Sequence, residues 1–466
     1  MPRSKRRGIV LQRGWQLAAN ARCAAKHSRM SCGVCYHALP MRLLKLALLS
    51  LLLTICAFAQ APEQRVVGHW LATISPVNKA GEKQFDAAFE FVVERSGSGL
   101  SAALYNGPER MNFTGAQFAE GVLKLAIAHY DGVITATLDD KGELNGDYTR
   151  QTSMGIRHYP LHAVRTANDA SVPETASAAS TAGASLAGDW VLTFTNDTGT
   201  DKVAPAVFHE DAKTGTVNGT IAPVSGDFGL MSGKVTKGEG GVSSFSLSRF
   251  DGIHVLLMEG QFDTADSLHG TLNKTDKFTA VRKSAAAQSN TAEATPDAES
   301  ITKVKDPTEV FHFRGVDSRT GKIVTESDFK GKPVIVDIFG TWCPNCHDEA
   351  PVLVDLYKRY HADGLEIVGL SYEYTDDAKR NAKMVDIYRK KFGIDFPLLV
   401  SGTTEQGQIA KTLPQLVGFG AYPTTIFIGR DGQIRKIHAG FEGPATGQLD
   451  EVKQRFDENV RELVKK

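Results

Sequence analysis

Two cysteines separated by two residues, in Trp342-Cys343-Pro344-Asn345-Cys346, carry the plainest chemistry in this 466-residue chain. Thiols at that spacing can close and reopen a disulfide by exchange, passing through a mixed disulfide with a partner. The pair follows the apolar run Val334–Phe339, read as a strand, and precedes Val352, Leu353, Leu356, Tyr357 and Tyr360, whose spacing marks a helix. A cysteine at such a junction meets the unpaired N–H groups and the positive dipole end of the helix, which favour thiolate over thiol. Cys343 is therefore expected to be the exposed nucleophile, and Cys346, one turn on, the buried thiol that resolves the mixed disulfide. Pro344 loses no hydrogen bond in the first turn and fixes its geometry. A zinc site needs a second ligand pair, which His347 alone does not supply. The reading is no metal and no cofactor beyond a redox-active Cys343–Cys346 disulfide. Asp337 interrupts the apolar strand, where a carboxylate is costly unless it keeps its proton or finds a partner. Pro351 cannot donate to the His347 carbonyl and predicts a kink in the helix.

Further elements follow in a strand and helix alternation. Leu365–Leu370 reads as a second buried strand, residues 376–391 as a polar helix, and Phe396–Val400 as a third strand. Thr424–Ile428 and Ile434–Ile437 flank an Asp431-Gly432 turn and form a hairpin. Leu449, Val452, Phe456, Val460 and Leu463 close the chain with an amphipathic helix. This is the thioredoxin order.

The rest of the chain is organised differently. Lys and Arg together equal Asp and Glu, 53 against 53, so no overall field draws it to nucleic acid or an anionic membrane. Residues 41–59 read as a secretory signal: a short basic head, an apolar stretch from Leu46 to Ile55 and Ala57-Phe58-Ala59 as the cleavage pattern. An uncleaved anchor is the alternative, although the stretch is shorter than the roughly 20 residues of a membrane span. Residues 1–40, basic and without Asp or Glu, are expected to lie upstream of the true start at Met41. Cys32 and Cys35 lack a second ligand pair, and Ile55 before Cys56 argues against lipidation. Cleavage after Ala59 would leave Cys343 and Cys346 as the only cysteines, a pair more suited to chemistry than to stability.

Residues 166–185 and 283–309 lack large apolar side chains and read as linkers. They bound two repeats, 60–165 and 186–282, and a third domain, 310–466. Gly68-His-Trp70 answers Gly188-Asp-Trp190, Tyr130-Asp-Gly-Val answers Phe250-Asp-Gly-Ile, Leu144-Asn-Gly146 answers Leu268-His-Gly270, and Ala163-Val-Arg165 answers Ala280-Val-Arg282. Alternating segments such as Phe89, Phe91, Val93 and Leu123, Leu125, Ile127 predict all-β sandwiches or small barrels. The fold class is thus two tandem all-β domains before an α/β thioredoxin-like domain. Gly-x-Trp is similar to the opening of lipocalin-like barrels and raises a ligand of unknown kind in the barrel mouth, while Trp70 and Trp190 are better read as core plugs.

Residues 310–466 resemble the TlpA and ResA branch of the thioredoxin superfamily. The resemblance rests on Asp328-Phe-Lys-Gly-Lys-Pro-Val, Phe339-Gly-Thr-Trp-Cys-Pro-Asn-Cys, Glu349-Ala-Pro351 and Tyr422-Pro423-Thr424-Thr. It implies reduction of protein disulfides in the periplasm or on the outer membrane face, often in cytochrome c maturation, with a membrane protein as electron donor. It further implies a cis Pro423 in a loop facing the dithiol, with Trp342, Pro344, Tyr422 and Thr424 around the substrate. Asp337 matches the buried acid of thioredoxin and could deprotonate Cys346; the branch itself uses a glutamate at the position of Glu349. The roles of Asp337 and Glu349 stay open, as does a merely solvating Glu349. Competing readings are a thiol peroxidase, for which Thr341 stands two rather than three positions before Cys343, and a ligand- or envelope-binding protein with an auxiliary redox domain. A copper chaperone has only His438 as a distal ligand.

Overall fold

The computed structural model describes residues 62–166, 184–195, 202–238, 241–285 and 297–465. The basic extension, the signal segment, Cys32, Cys35 and Cys56, and nearly all of the 166–185 linker lie outside them. The described residues belong to one compact unit.

Alternating side chains make the first repeat a closed barrel. Its strands run antiparallel from Gly68–Ile74 to Gly155–Arg165, and the first strand pairs with both Ala87–Ser96 and Gly155–Arg165 to shut the ring. Glu109–Asn112 hangs on Gly99–Asn106 outside that ring. The second repeat closes eight strands, from Gly188–Phe194 to Asp276–Arg282, in simple up-and-down order. Of the sandwich and barrel alternatives, closure decides for barrels, which leave no strand edge exposed for pairing.

Each barrel is plugged in the same way. Trp70 and Trp190 are fully buried, and their indole N–H groups donate to Val66 and Leu186 at 2.9 and 2.8 Å. Arg165 and Arg282, the last residues of their barrels, lie over these rings at 4.6 and 4.4 Å and donate to the backbone just before the first strand. The four residues paired by the sequence repeat therefore build one device twice, in which a cation on an aromatic face also ties the chain ends. With Trp70, Phe91 and Tyr148 in one interior and Trp190, Phe208 and Phe278 in the other, the barrels are packed cores.

The expected ligand in the barrel mouth meets a different occupant. Phe250, from the corner of the second barrel, is fully buried in the core of the first, 4.6 Å from Phe89 and 5.0 Å from Tyr148. Asn106 clamps it by donating to the Phe250 carbonyl at 3.0 Å and accepting from its N–H at 3.1 Å, while the Tyr148 hydroxyl donates to Gly252 at 2.5 Å.

The third domain is an α/β sheet. Val334–Phe339 lies centrally, parallel to Glu366–Glu373 and antiparallel to Thr424–Ile428, with Leu398–Thr403 and Ile434–Ala439 outside them. Helices Pro344–Tyr360, Ala378–Phe392 and Leu449–Lys465 complete a thioredoxin fold. The 283–309 linker is shorter than its composition suggests. Ala298–Ile301 is helical, Thr302 is buried, and Lys303–Val304 pairs with Leu416–Val417. Two backbone pairings and one buried hydroxyl are enough to order a segment that carries little apolar surface.

Truncating Phe250 removes a ring shared by two domains. Phe250→Ala should destabilise the barrels by about 3–5 kcal/mol, the usual cost of deleting a buried phenylalanine. Denaturant unfolding followed by tryptophan fluorescence checks this, and a cost of an ordinary surface substitution would contradict the plug.

Candidate functional site

The central strand is buried along its whole length and ends at Phe339, and the carbonyl of the next residue, Gly340, accepts from Cys343 N–H at 3.1 Å. That turn delivers Cys343 to the N-cap of the Pro344–Tyr360 helix, with Pro344 in its first turn. Cys343 Sγ accepts from the Cys346 N–H at 3.2 Å. The two cysteines form a disulfide, their Cα atoms 5.2 Å apart. A sulfur at the cap receives the N–H groups that the helix cannot satisfy itself.

Facing the sulfur is the loop at Tyr422–Pro423, whose peptide bond is cis. The Tyr422 carbonyl lies 3.5 Å from Cys343 Sγ. Trp342 donates to the Tyr372 carbonyl at 2.9 Å, stacks on Tyr374 at 4.8 Å and meets Tyr422 edge-on at 5.2 Å. Thr424, expected among the substrate contacts, is fully buried and its hydroxyl donates to Ala421 at 2.8 Å. It braces the loop from within.

Cys343 departs from expectation in one respect. It is only 4% exposed, against 1% for Cys346. Trp342, Tyr422 and Phe441 pack around the dithiol, and chain from the second barrel lies along the neighbouring Asn345 and Gly440. The second-barrel chain beside Asn345 and Gly440 comes from more than a hundred residues upstream.

Beneath the dithiol, Asp337 and Glu349 meet. Both are buried, and Glu349, at 0% exposure, lies in the interior and not on a solvated helix surface. Thr425, opposite Asp337 in the sheet, donates to Glu349. Asp337 Oδ1 and Glu349 Oε2 have no other donor. Burial pushes Asp337 up to about 7, and burial together with the Asp337 charge pushes Glu349 well above the usual carboxylate range. A proton held between the two oxygens satisfies both, so the pair can give or take one proton one helical turn from Cys346.

His347, insufficient alone as a metal ligand, fixes the backbone before the dithiol through its ring. Nε2 donates to the Thr341 carbonyl at 2.8 Å, and Lys391 Nζ donates to Nδ1 at 2.8 Å. Burial, reinforced by Lys391, keeps His347 neutral by lowering its pKa. Burial also brings Lys391 down to about 8. Thr341 is tied from the other side, its N–H and hydroxyl donating to Glu373 at 3.1 and 2.7 Å. Glu373, a carboxylate closing an apolar strand, carried the same signal as Asp337. Tyr130 of the first barrel packs on the His347 ring at 4.8 Å, and Asp131 pairs with Arg380 at 3.0 Å. Asp348 is pushed up to about 7 by burial and by Asp227 of the second barrel. Both barrels therefore reach the start of the active-site helix.

Residues 306–437 match the profile of the AhpC/TSA family. The thiol-disulfide oxidoreductase ResA of Bacillus thuringiensis subsp. konkukian is 34% identical over 114 residues, 24% of this chain and 58% of the relative. ResA of Bacillus subtilis is 30% identical over 125 residues, 27% of this chain and 63% of the relative. The chain thus spans about three fifths of the length of these relatives, all within its last third. A crystal structure of a thiol:disulfide interchange protein of Chlorobium tepidum TLS is 26% identical, with a TM-score of 0.27, covering 35% of this chain and 99% of that one. The C-terminal domain is similar to thioredoxin-fold disulfide oxidoreductases.

Because Asp337 keeps its proton to about 7 in the fold and an unfolded Asp loses it near 4, its neutral form is tolerated and its ionised form is penalised. The stability it permits is full below about pH 4 and is lost as the pH rises through about 7. Asp337→Asn should match the native chain near pH 4 and exceed it by about 2–4 kcal/mol near pH 8. Thermal melts at both pH values check this; an Asp337→Asn chain no more stable than native at the higher pH would contradict the buried-acid account.

Proposed function

We propose that the chain is an exported thiol-disulfide oxidoreductase that reduces disulfides of extracytoplasmic proteins. The observation that carries this reading is the capped dithiol: Cys343 Sγ on the helix N-terminus, bonded to Cys346, with the cis-Pro423 loop 3.5 Å away. In the reduced form a Cys343 thiolate attacks one sulfur of a substrate disulfide and expels the other as thiolate. Cys346 then gives its proton to the Asp337–Glu349 pair and attacks Cys343 Sγ. The substrate leaves with two electrons and the Cys343–Cys346 disulfide closes. A donor dithiol, for which a membrane protein is the natural candidate, must return those electrons.

The export pattern at 41–59 supports the extracytoplasmic setting, where such chemistry can serve cytochrome c maturation. No described helix is long and apolar enough to cross a membrane. A thiol peroxidase needs a threonine poised toward the reactive sulfur, and the Thr341 hydroxyl is committed to Glu373 at 2.7 Å. Disulfide exchange therefore fits better than peroxide reduction. Neither Trp342 nor Tyr422 carries a charge, which suits contact with polypeptide of varied sequence.

Cys343→Ala should abolish reduction of small and protein disulfides, whereas Cys346→Ala should accumulate mixed disulfides released by added thiol. Mass spectrometry of trapped species and reductase assays check both. Undiminished turnover by Cys343→Ala would remove this function, and peroxide turnover without any disulfide substrate would favour the peroxidase.

A further inference from the structure

Chain from the second barrel crosses the active-site face in an ordered sequence of contacts. A side chain at Gly440 would collide with the Val224 carbonyl, and Gly440 N–H itself donates to the cis-Pro423 carbonyl at 2.8 Å. Two residues on, Gly226 abuts the Asn345 amide, between the two cysteines, so closely that a Cβ there would collide with it. Asp227 then accepts from Gly443 N–H at 2.6 Å and from Gly229 N–H at 2.7 Å, and is itself buried. Val224, Gly226 and Asp227 thus run from Gly440, which bonds the proline loop, past Asn345 of the dithiol helix, to Gly443. The loop is shaped for this by a turn in which Gly226 N–H donates to Pro223 at 3.0 Å, Gly226 having φ +128°.

We propose that the Pro223–Phe228 loop is a built-in occupant of the polypeptide subsite beside Cys343, so that the chain as folded is a closed form and a protein disulfide reaches the sulfur only when this loop lifts. The inference rests on the thiol-disulfide reading for the identity of the subsite. Three features support it independently of any substrate. Cys343 is 4% exposed in a position where attack on a protein disulfide requires access. The contacts combine backbone at Val224 and Gly226 with the Asp227 carboxylate, and they fall beside both Asn345 and Gly440. Asp227 anchors the loop to Gly443, and the barrel interior behind it is packed around Trp190, Phe208 and Phe278. Lifting the loop therefore does not require unfolding the barrel.

The first barrel also reaches the site. Tyr130 rests on His347, and Arg150 reaches Tyr374, which stacks on Trp342. The barrels then act as a clamp around the dithiol, and the duplication gains a purpose: one copy braces the helix start, and the other covers the groove.

The test uses the full reduced chain. Labelling of Cys343, assigned by mass spectrometry, is compared for iodoacetamide and for a polyethylene-glycol maleimide, each calibrated on a free-cysteine peptide. Turnover is compared for glutathione disulfide and for insulin. In the native chain the bulky reagent should lag the small one, and insulin should be the poorer substrate. Asp227→Ala should raise the insulin-to-glutathione-disulfide ratio by about tenfold, the shift that one lost buried hydrogen bond of the cap can produce, and should speed bulky labelling in parallel. Equal calibrated labelling of the native chain by both reagents would overturn the proposal. So would an unchanged ratio in an Asp227→Ala chain that keeps its circular dichroism and its glutathione disulfide turnover. If the native chain reduces neither disulfide, the redox reading fails, and the labelling comparison still decides whether the loop covers Cys343.

Discussion

One hydrogen bond organises the third domain: the Cys346 N–H donated to Cys343 Sγ at the mouth of a helix. For that contact to exist the buried strand must stop at Phe339, the chain must turn before Cys343, and the helix must begin at Pro344. The same contact fixes what the site can do. Negative charge on Cys343 Sγ is met by N–H groups and by the helix dipole, whereas Cys346, one turn further in, gains no such help and needs a base. Asp337 and Glu349 are where a base must be, buried and each with its pKa raised by that burial. The asymmetry between the two thiols thus follows from their positions along one helix.

The barrels make a second argument from geometry. Their Trp and Arg plugs are near copies, but the Tyr130-Asp131-Gly132 and Phe250-Asp251-Gly252 corners have diverged in use. The first docks on the redox domain through His347 and Arg380, and the second enters the first barrel as Phe250. Duplicated corners that each set an aromatic ring against a neighbour help tie the three domains into one unit.

Much of this was legible in the sequence because it is local or repeated. The strand, cysteine pair and helix are contiguous, Tyr422-Pro423 carries its own conformational signal, and the Trp70–Arg165 and Trp190–Arg282 plugs appear as matched ends of a repeat. What was hidden depends on contacts between distant residues. Phe250 and Asn106 are 144 positions apart, and nothing in Phe-Asp-Gly distinguishes a corner that plugs a neighbour from one in water. Glu349 entered through resemblance alone, since its burial depends on which helix face meets the sheet. The chain beside Asn345 and Gly440 comes from Val224 to Asp227, a stretch with no pattern of its own, and Lys303–Val304 pairs with a distant partner at Leu416–Val417. Thr424 looked like a substrate contact because it follows Pro423; its hydroxyl turns inward instead.

The most direct test of the capped-thiol account is the thiolate absorbance of the reduced chain across a pH titration, with Cys346→Ala to isolate Cys343. Capture of the sulfur by the helix N-terminus predicts half-ionisation clearly below the value of about 8.5 for free cysteine. A midpoint at or above that value would show that burial outweighs the cap, and the chemistry assigned to Cys343 would lose its physical basis.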